Sequence, residues 1–267
     1  MSLELLKAHA YGNDFLYLET VDLARPDGSD LARELCERHA GIGADGLILY
    51  RPTGTGADMR LYNADGSASE VSGNGVRGLA AVCCWSRVRE GRPAPSSLLI
   101  STDAGDKPVA VLSSEPPRFV CRTAMGHPTD VRPATIDVAG TAVDAVVLRV
   151  GNPQCVVLEP ALDDARYRRI GAALEHHPYF PEGTNVEFAC VEHTGLVRIL
   201  IWERGVGPTL ASGTGACAAA VAAMTYGGAA HDVTVASPGG TQRVEWRDDG
   251  LYLTGWAEVV WEGRWIR

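Results

Sequence analysis

Two short segments carry the residue types best suited to chemistry, Ser72-Gly73-Asn74-Gly75 and Ser212-Gly213-Thr214-Gly215, at an offset of 140 residues. Each leads into a run of small and apolar residues, 74–89 and 214–225, that reads as a helix apolar nearly all round and hence enclosed. A helix start leaves about four backbone N–H groups unpaired and carries roughly half a positive charge. Glycines there let an anion approach the backbone closely. Ser72 and Ser212 also have the identity of helix N-caps. If the two starts meet at one cleft, they can hold a single carboxylate, with both serines at its mouth.

Asparagines stand at the ends of apolar strands in "GND" (Asn13), "YNADG" (Asn63), "GNP" (Asn152) and "GTN" (Asn185). Singly each is a turn residue. Together with Glu203 and Arg204 they describe a largely neutral polar site with one fixed cation. Such a site suits a zwitterionic amino acid, because Arg204 pairs with a carboxylate and the amides both donate and accept.

The elements that must hold these groups are mostly short strands. "DGLILYRP", "SSLLIST", "GTNVEFACVE", "LVRILIWERG" and "DVTVASPGG" show alternation or β-branched runs, separated by Gly, Asp and Pro. "DLARELCERHAG" and "DARYRRIGAALEHHP" read as helices stopped by glycine and by Pro178. Each half thus has many strands and one apolar helix. The expected fold is α/β (α+β), two similar domains, each a mostly antiparallel sheet wrapped around a central helix. The expected boundaries are 1–125 and 126–267, with 123–133 as linker and the last strands free to return to the first domain.

The chain has 267 residues and a formal net charge of −9, with no basic run, which argues against a nucleic-acid partner. No apolar run is long enough for a membrane span, and the expected location is the cytoplasm. The seven cysteines form no C-x-x-C pair, so most are expected as buried thiols rather than metal ligands. The adjacent His176 and His177 cannot share a helix face, and no metal site is expected.

The motifs "HAYGNDF", "GIGADGL", "YNADGSASEVSGNGVR", "GNPQCV", "GTNVEF" and "ERGVGPTLASGTGACAA" resemble the diaminopimelate epimerase family in order and spacing, from about residue 7 to 225. The resemblance implies an isomerase of lysine biosynthesis that works without pyridoxal phosphate or other cofactor. It implies two pseudo-twofold related domains with the active site between them. In that family one cysteine thiolate takes the α-proton, and a second thiol delivers a proton to the opposite face. The matching positions are Ser72 and Ser212. The resemblance assigns substrate binding to Asn13, Asn63, Gly73, Asn74, Asn152, Asn185, Glu203, Arg204, Gly213 and Thr214. A small amino acid is the expected partner, and a homodimer is left open.

Four positions depart from the family pattern: both serines, Gln154 where a supporting His is usual, and Pro208 where a Glu is usual. A thiol titrates near ~8.5, and a helix start or a cation lowers that to roughly 3.5–7.5. A serine hydroxyl is far less acidic and needs a separate base. His9 has no evident place at the α-carbon, and Cys217 lies inside the helix. A two-thiol reaction at the family's rate is therefore not expected. Two other readings stand beside this one: a related racemase with Glu70, Asp45 or Asp65 as base, and a non-catalytic amino-acid-binding protein.

Overall fold

The computed structural model describes residues 2–266. The chain forms two compact units: one runs to Thr123 and takes in the chain again from Gly255, and the other is Ala124–Thr254.

The first unit opens with β1 (Ser2–Ala10) and β2 (Asn13–Glu19), an antiparallel pair. They are joined through Tyr11 and Gly12, both left-handed at φ 57 and φ 90. Helix α1 (Gly28–Cys36) buries Leu31, Ala32, Leu35 and Cys36, and leads to β3 (Gly46–Pro52), which lies parallel to β2. Strands β4 (Gly56–Asn63) and β5 (Ala68–Ser69) follow, each antiparallel to the one before. Helix α2 (Gly73–Arg89) comes next, then β6 (Ser97–Thr102) parallel to β4. The antiparallel strands β7 (Gly105–Glu115) and β8 (Arg118–Gly126) complete the run.

The second unit repeats this plan in order and in sense. After β9 (Thr129–Val138), strand β10 (Thr141–Val150) pairs antiparallel with β11 (Asn152–Leu158). Helix α3 (Asp164–Glu175) then returns the chain to β12 (Asn185–His193), parallel to β11. Strands β13 (Leu196–Glu203) and β14 (Gly207–Thr209), helix α4 (Gly213–Tyr226), β15 (Asp232–Ser237) and β16 (Gly240–Arg247) match β4 to β7 with α2. The last strand, β17 (Gly250–Ile266), serves both units: its start pairs with β16, and its end pairs with β1.

Each unit is thus a mostly antiparallel sheet around one apolar helix. In α4 every residue from Gly215 to Met224 is buried, packed among Leu148, Val156, Val197, Ile199, Val235 and Leu253. Alanines over most of that length let strands approach the helix from all sides. In α2 the buried stretch runs from Asn74 to Val82, the next residues are buried or half-buried, and the first exposed residue is Arg89.

Several expected boundaries move. The 123–133 segment holds the boundary between the units, at Thr123 and Ala124, but as strand: β8 reaches Gly126 and β9 starts at Thr129, so only His127 and Pro128 break the strands. The second unit ends at Thr254 and β17 continues onto β1, the return of the last strand to the first unit that the sequence left open. Helix α1 stops at Cys36, where Glu37 turns extended (φ −60, ψ 128). Helix α3 stops at Glu175, ahead of Pro178.

Candidate active site

Both Ser-Gly-x-Gly segments are helix starts, and both serines are N-caps. Ser72 and Ser212 are extended (φ −130 and −135), and their hydroxyl oxygens accept from the Gly75 and Gly215 N–H groups at 3.1 and 3.3 Å. The cap bond satisfies one orphan donor of each helix and leaves the others for a ligand. The hydroxyl hydrogen also stays free, so each serine can still donate while its oxygen caps. A Cβ added at Gly73 would meet no atom within 4 Å, so the backbone there is open to a close-approaching group.

Behind α2 the residues form one hydrogen-bonded chain. Asp45 accepts from Asn13 Nδ2 at 2.8 Å, and Asn13 Oδ1 accepts from Asn74 Nδ2 at 3.2 Å. Asn74 Oδ1 in turn accepts from the buried Arg77 at 3.3 Å. Asp45 is itself held by Arg38 at 2.8 Å. Asn13 reaches this chain because β2 begins on it, and Asn74 because it lies in the first turn of α2. Asn63, at the end of β4, is separate: its amide donates to Ser67 Oγ at 3.0 Å.

The three carboxylates considered as alternative bases are all exposed. Asp45 is exposed and engaged by Asn13 and Arg38. Asp65 closes a turn onto the Ser67 hydroxyl and N–H, which hold its carboxyl below the usual range. Glu70 is exposed. His9 accepts from the Gly12 N–H at 3.3 Å and stacks edge-on against Trp256.

In the second unit Asn152 and Asn185 begin β11 and β12, and Asn185 Oδ1 accepts from the Arg204 N–H at 2.9 Å. Arg204 is exposed, and its guanidinium donates to the Glu182 carbonyl at 2.7 Å. Glu203 accepts from the Thr209 hydroxyl at 2.7 Å. The loop carrying Arg204 is pinned from below by Glu175, which accepts from Trp202 Nε1 at 2.6 Å and from the Gly205 N–H at 2.7 Å. Burial alone would raise the Glu175 pKa, but these bonds outweigh it and hold the carboxyl below its usual range.

Two buried groups stand against the first turn of α4. Glu187 and Gln154 are each 0% exposed. With its nitrogen towards Glu187, the Gln154 amide lies 3.0 and 3.2 Å from the two carboxyl oxygens. Its oxygen then lies 3.2 Å from both Asn185 Nδ2 and Thr214 Oγ1 and 2.6 Å from the Asn152 amide, which must turn its nitrogen to it. Burial, and then the nearby Glu203, push the Glu187 carboxyl well above the usual range. Sequence reasoning passed over Glu187. Its one signal was a carboxylate inside a strand, "NVEF", whose neighbours Val186 and Phe188 are both core residues. Cys217 lies inside α4, fully buried, away from any cap position.

Among solved structures the chain is similar to a PhzF-family phenazine biosynthesis protein of Bacillus anthracis, with TM-score 0.72, 15% identity and all of both chains covered. It is equally similar to a hydroxyproline epimerase of Agrobacterium vitis, with TM-score 0.72 and 15% identity, covering 98% of this chain and 92% of that one. These share the fold. Sequence relatives are nearer. A protein of Desulforudis audaxviator named diaminopimelate epimerase is 42% identical over 284 residues, covering 99% of this chain and all of its own. Another of that name, from Desulfitobacterium hafniense, is 37% identical over 281 residues, covering 98% and 97%. The class is therefore an isomerase of the racemase and epimerase type. The sequence profile described as diaminopimelate epimerase matches residues 5–131 and 146–260, and the chain belongs to that family.

Proposed function

We propose that the chain binds diaminopimelate, or a closely similar diamino dicarboxylate, as an epimerase without pyridoxal phosphate, and that Ser72 and Ser212 flank the α-carbon. The reading is carried by the duplicated capped helix start: each N-terminus offers free N–H donors and a serine hydroxyl at the position of a family thiol. In this reading the α-carboxylate takes the N–H groups near Gly73, Asn74, Gly213 and Thr214. Asn13, Asn63, Asn152, Asn185 and Glu203 serve the amino groups, and Arg204 takes the distal carboxylate. Exposed, with one guanidinium nitrogen on the Glu182 carbonyl, Arg204 keeps further N–H donors for that pair.

Inversion needs a base on one face of the α-carbon and an acid on the other. The proton leaves one face to the base, and the carbanion takes a different proton from the opposite side. A capping serine can serve as the acid, because its hydrogen is free. It is a poor base, because its alkoxide is scarce at neutral pH. The chain as written is therefore a good binder and a slow epimerase. Titration calorimetry with diaminopimelate, lysine and proline tests the binding half. Selective heat with diaminopimelate supports the reading, and equal or absent binding of all three refutes it.

A further inference from the structure

We propose that Glu187 is a positioning residue, a buried carboxyl that sets the hydrogen bonding of the first turn of α4 and makes the Ser212 side chemically unlike the Ser72 side. The inference rests on the reading above that Ser212 lies at the substrate. It starts from a comparison of the two repeats. Phe15 pairs with Gly46 in the parallel β2–β3 register, and Gln154 pairs with Asn185 in the parallel β11–β12 register. Two residues further along β3 and β12 stand Ile48 and Glu187. Both press on the same point of their helix: a Cβ added at Gly75 would lie 2.9 Å from Ile48 Cδ1, and one added at Gly215 would lie 2.6 Å from Glu187 Oε1. In both cases the capping serine's Cβ is 3.2 Å from the same point.

The fold therefore builds this position from two apolar side chains in one repeat, Phe15 and Ile48. In the other it uses a polar pair, Gln154 and Glu187, each fully buried. Packing does not require the pair, and burying it carries a desolvation cost. Among the described residues, Gln154 of β11 and Gly215 of α4 lie against Glu187, and Glu203 of β13, Cys155 of β11 and Tyr167 of α3 are close enough to interact with it electrostatically; none of these is a cation. Burial, and then Glu203, push the carboxyl's pKa well above the usual glutamate range and favour the neutral form. Neutral, it accepts from the Gln154 amide, whose oxygen faces Thr214 and Asn185. Asn185 in turn holds the Arg204 N–H. Through Gln154 the buried carboxyl thereby orients three residues assigned here to the substrate. Ionisation would place an unpaired charge against Gly215 and disturb that arrangement.

The test uses the full chain with two substitutions, Glu187→Gln, which keeps shape and hydrogen bonding but cannot ionise, and Glu187→Ile, which copies the other repeat. The backbone amide resonances of Gly213, Thr214 and Gly215 are followed from mildly acid to alkaline pH, and diaminopimelate affinity is measured over the same range. In the parent the three amides should titrate together and affinity should fall with them. Glu187→Gln should abolish both responses and keep the neutral-pH affinity. Glu187→Ile should still fold, with a thermal midpoint lowered by the orphaned Gln154 amide, and should bind about tenfold more weakly than the parent does at neutral pH, with no dependence on pH. Amides that do not titrate, or titrate equally in Glu187→Gln, overturn the proposal, as does parent-like affinity in Glu187→Ile. Amides that respond as expected in a chain that binds no diaminopimelate leave Glu187 its role at α4 and refute the substrate reading instead.

Discussion

Replacing Gly78 by alanine tests how α2 is held beneath Ser72. On helix propensity alone the change should help, since glycine inside a helix is worse than alanine by about 1 kcal/mol. The packing opposes it. A Cβ at Gly78 would lie 2.0 Å from the Tyr17 hydroxyl oxygen and 3.0 Å from Cζ. Tyr17 is 0% exposed, and its hydroxyl donates to the Gly75 carbonyl at 3.1 Å, so the ring has neither space nor a spare partner. Overpacking costs roughly 1–3 kcal/mol, and an orphaned buried hydroxyl about as much again. Against the propensity gain, Gly78→Ala should lose roughly 3 kcal/mol. Urea denaturation followed by circular dichroism reads the loss. Gly73→Ala, where no atom lies within 4 Å, should fall within about 0.5 kcal/mol of the parent. Tyr17→Phe combined with Gly78→Ala should recover part of the loss, because it removes the nearest clashing atom. A Gly78→Ala protein as stable as the parent, or additivity in the double variant, would refute this reasoning.

Glu175→Gln should destabilise the fold by about 1–2 kcal/mol at neutral pH, because the bonds from Gly205 and Trp202 favour the charged carboxylate. The folded pKa lies below the ordinary glutamate value, so this stabilisation is present at neutral pH and is lost as pH falls through that lowered value. Melting curves of the two proteins should therefore converge in acid, and a constant offset would contradict the assignment. Arg204→Ala should weaken diaminopimelate binding by about 1.5–3 kcal/mol, the worth of a charged hydrogen-bonded pair. Calorimetry at low and high salt checks it, and unchanged affinity removes Arg204 from the site.

Both apolar helices were legible in the sequence, because small residues on every face leave no surface for water, and each begins at its serine. The asparagines were legible as strand ends, since Asn13, Asn152 and Asn185 each open a strand and Asn63 closes one. The 123–133 segment was legible as the junction between the units but not as strand, because Gly126 and Pro128 read as loop residues although β8 runs through Gly126 and β9 starts at Thr129. The crossing of β17 from one unit to the other was left open, since the pairing that decides it joins Ser2–His9 to residues more than half a chain away. Glu187 and Gln154 were hidden for a similar reason. Their meeting depends on the parallel register of β11 against β12, with α3 between them in sequence, and no local pattern encodes it.

The central claim concerns acidity at two helix starts, and α-proton exchange of diaminopimelate in D₂O, followed by NMR, tests it most directly. The parent chain and the Ser72→Cys, Ser212→Cys double variant are compared at equal substrate saturation. The account predicts slow exchange by the parent and faster exchange with inversion by the double variant, because a thiolate at a helix start is available at neutral pH and an alkoxide is not. Rapid exchange by the parent would contradict it by showing that a base other than these serines carries the reaction.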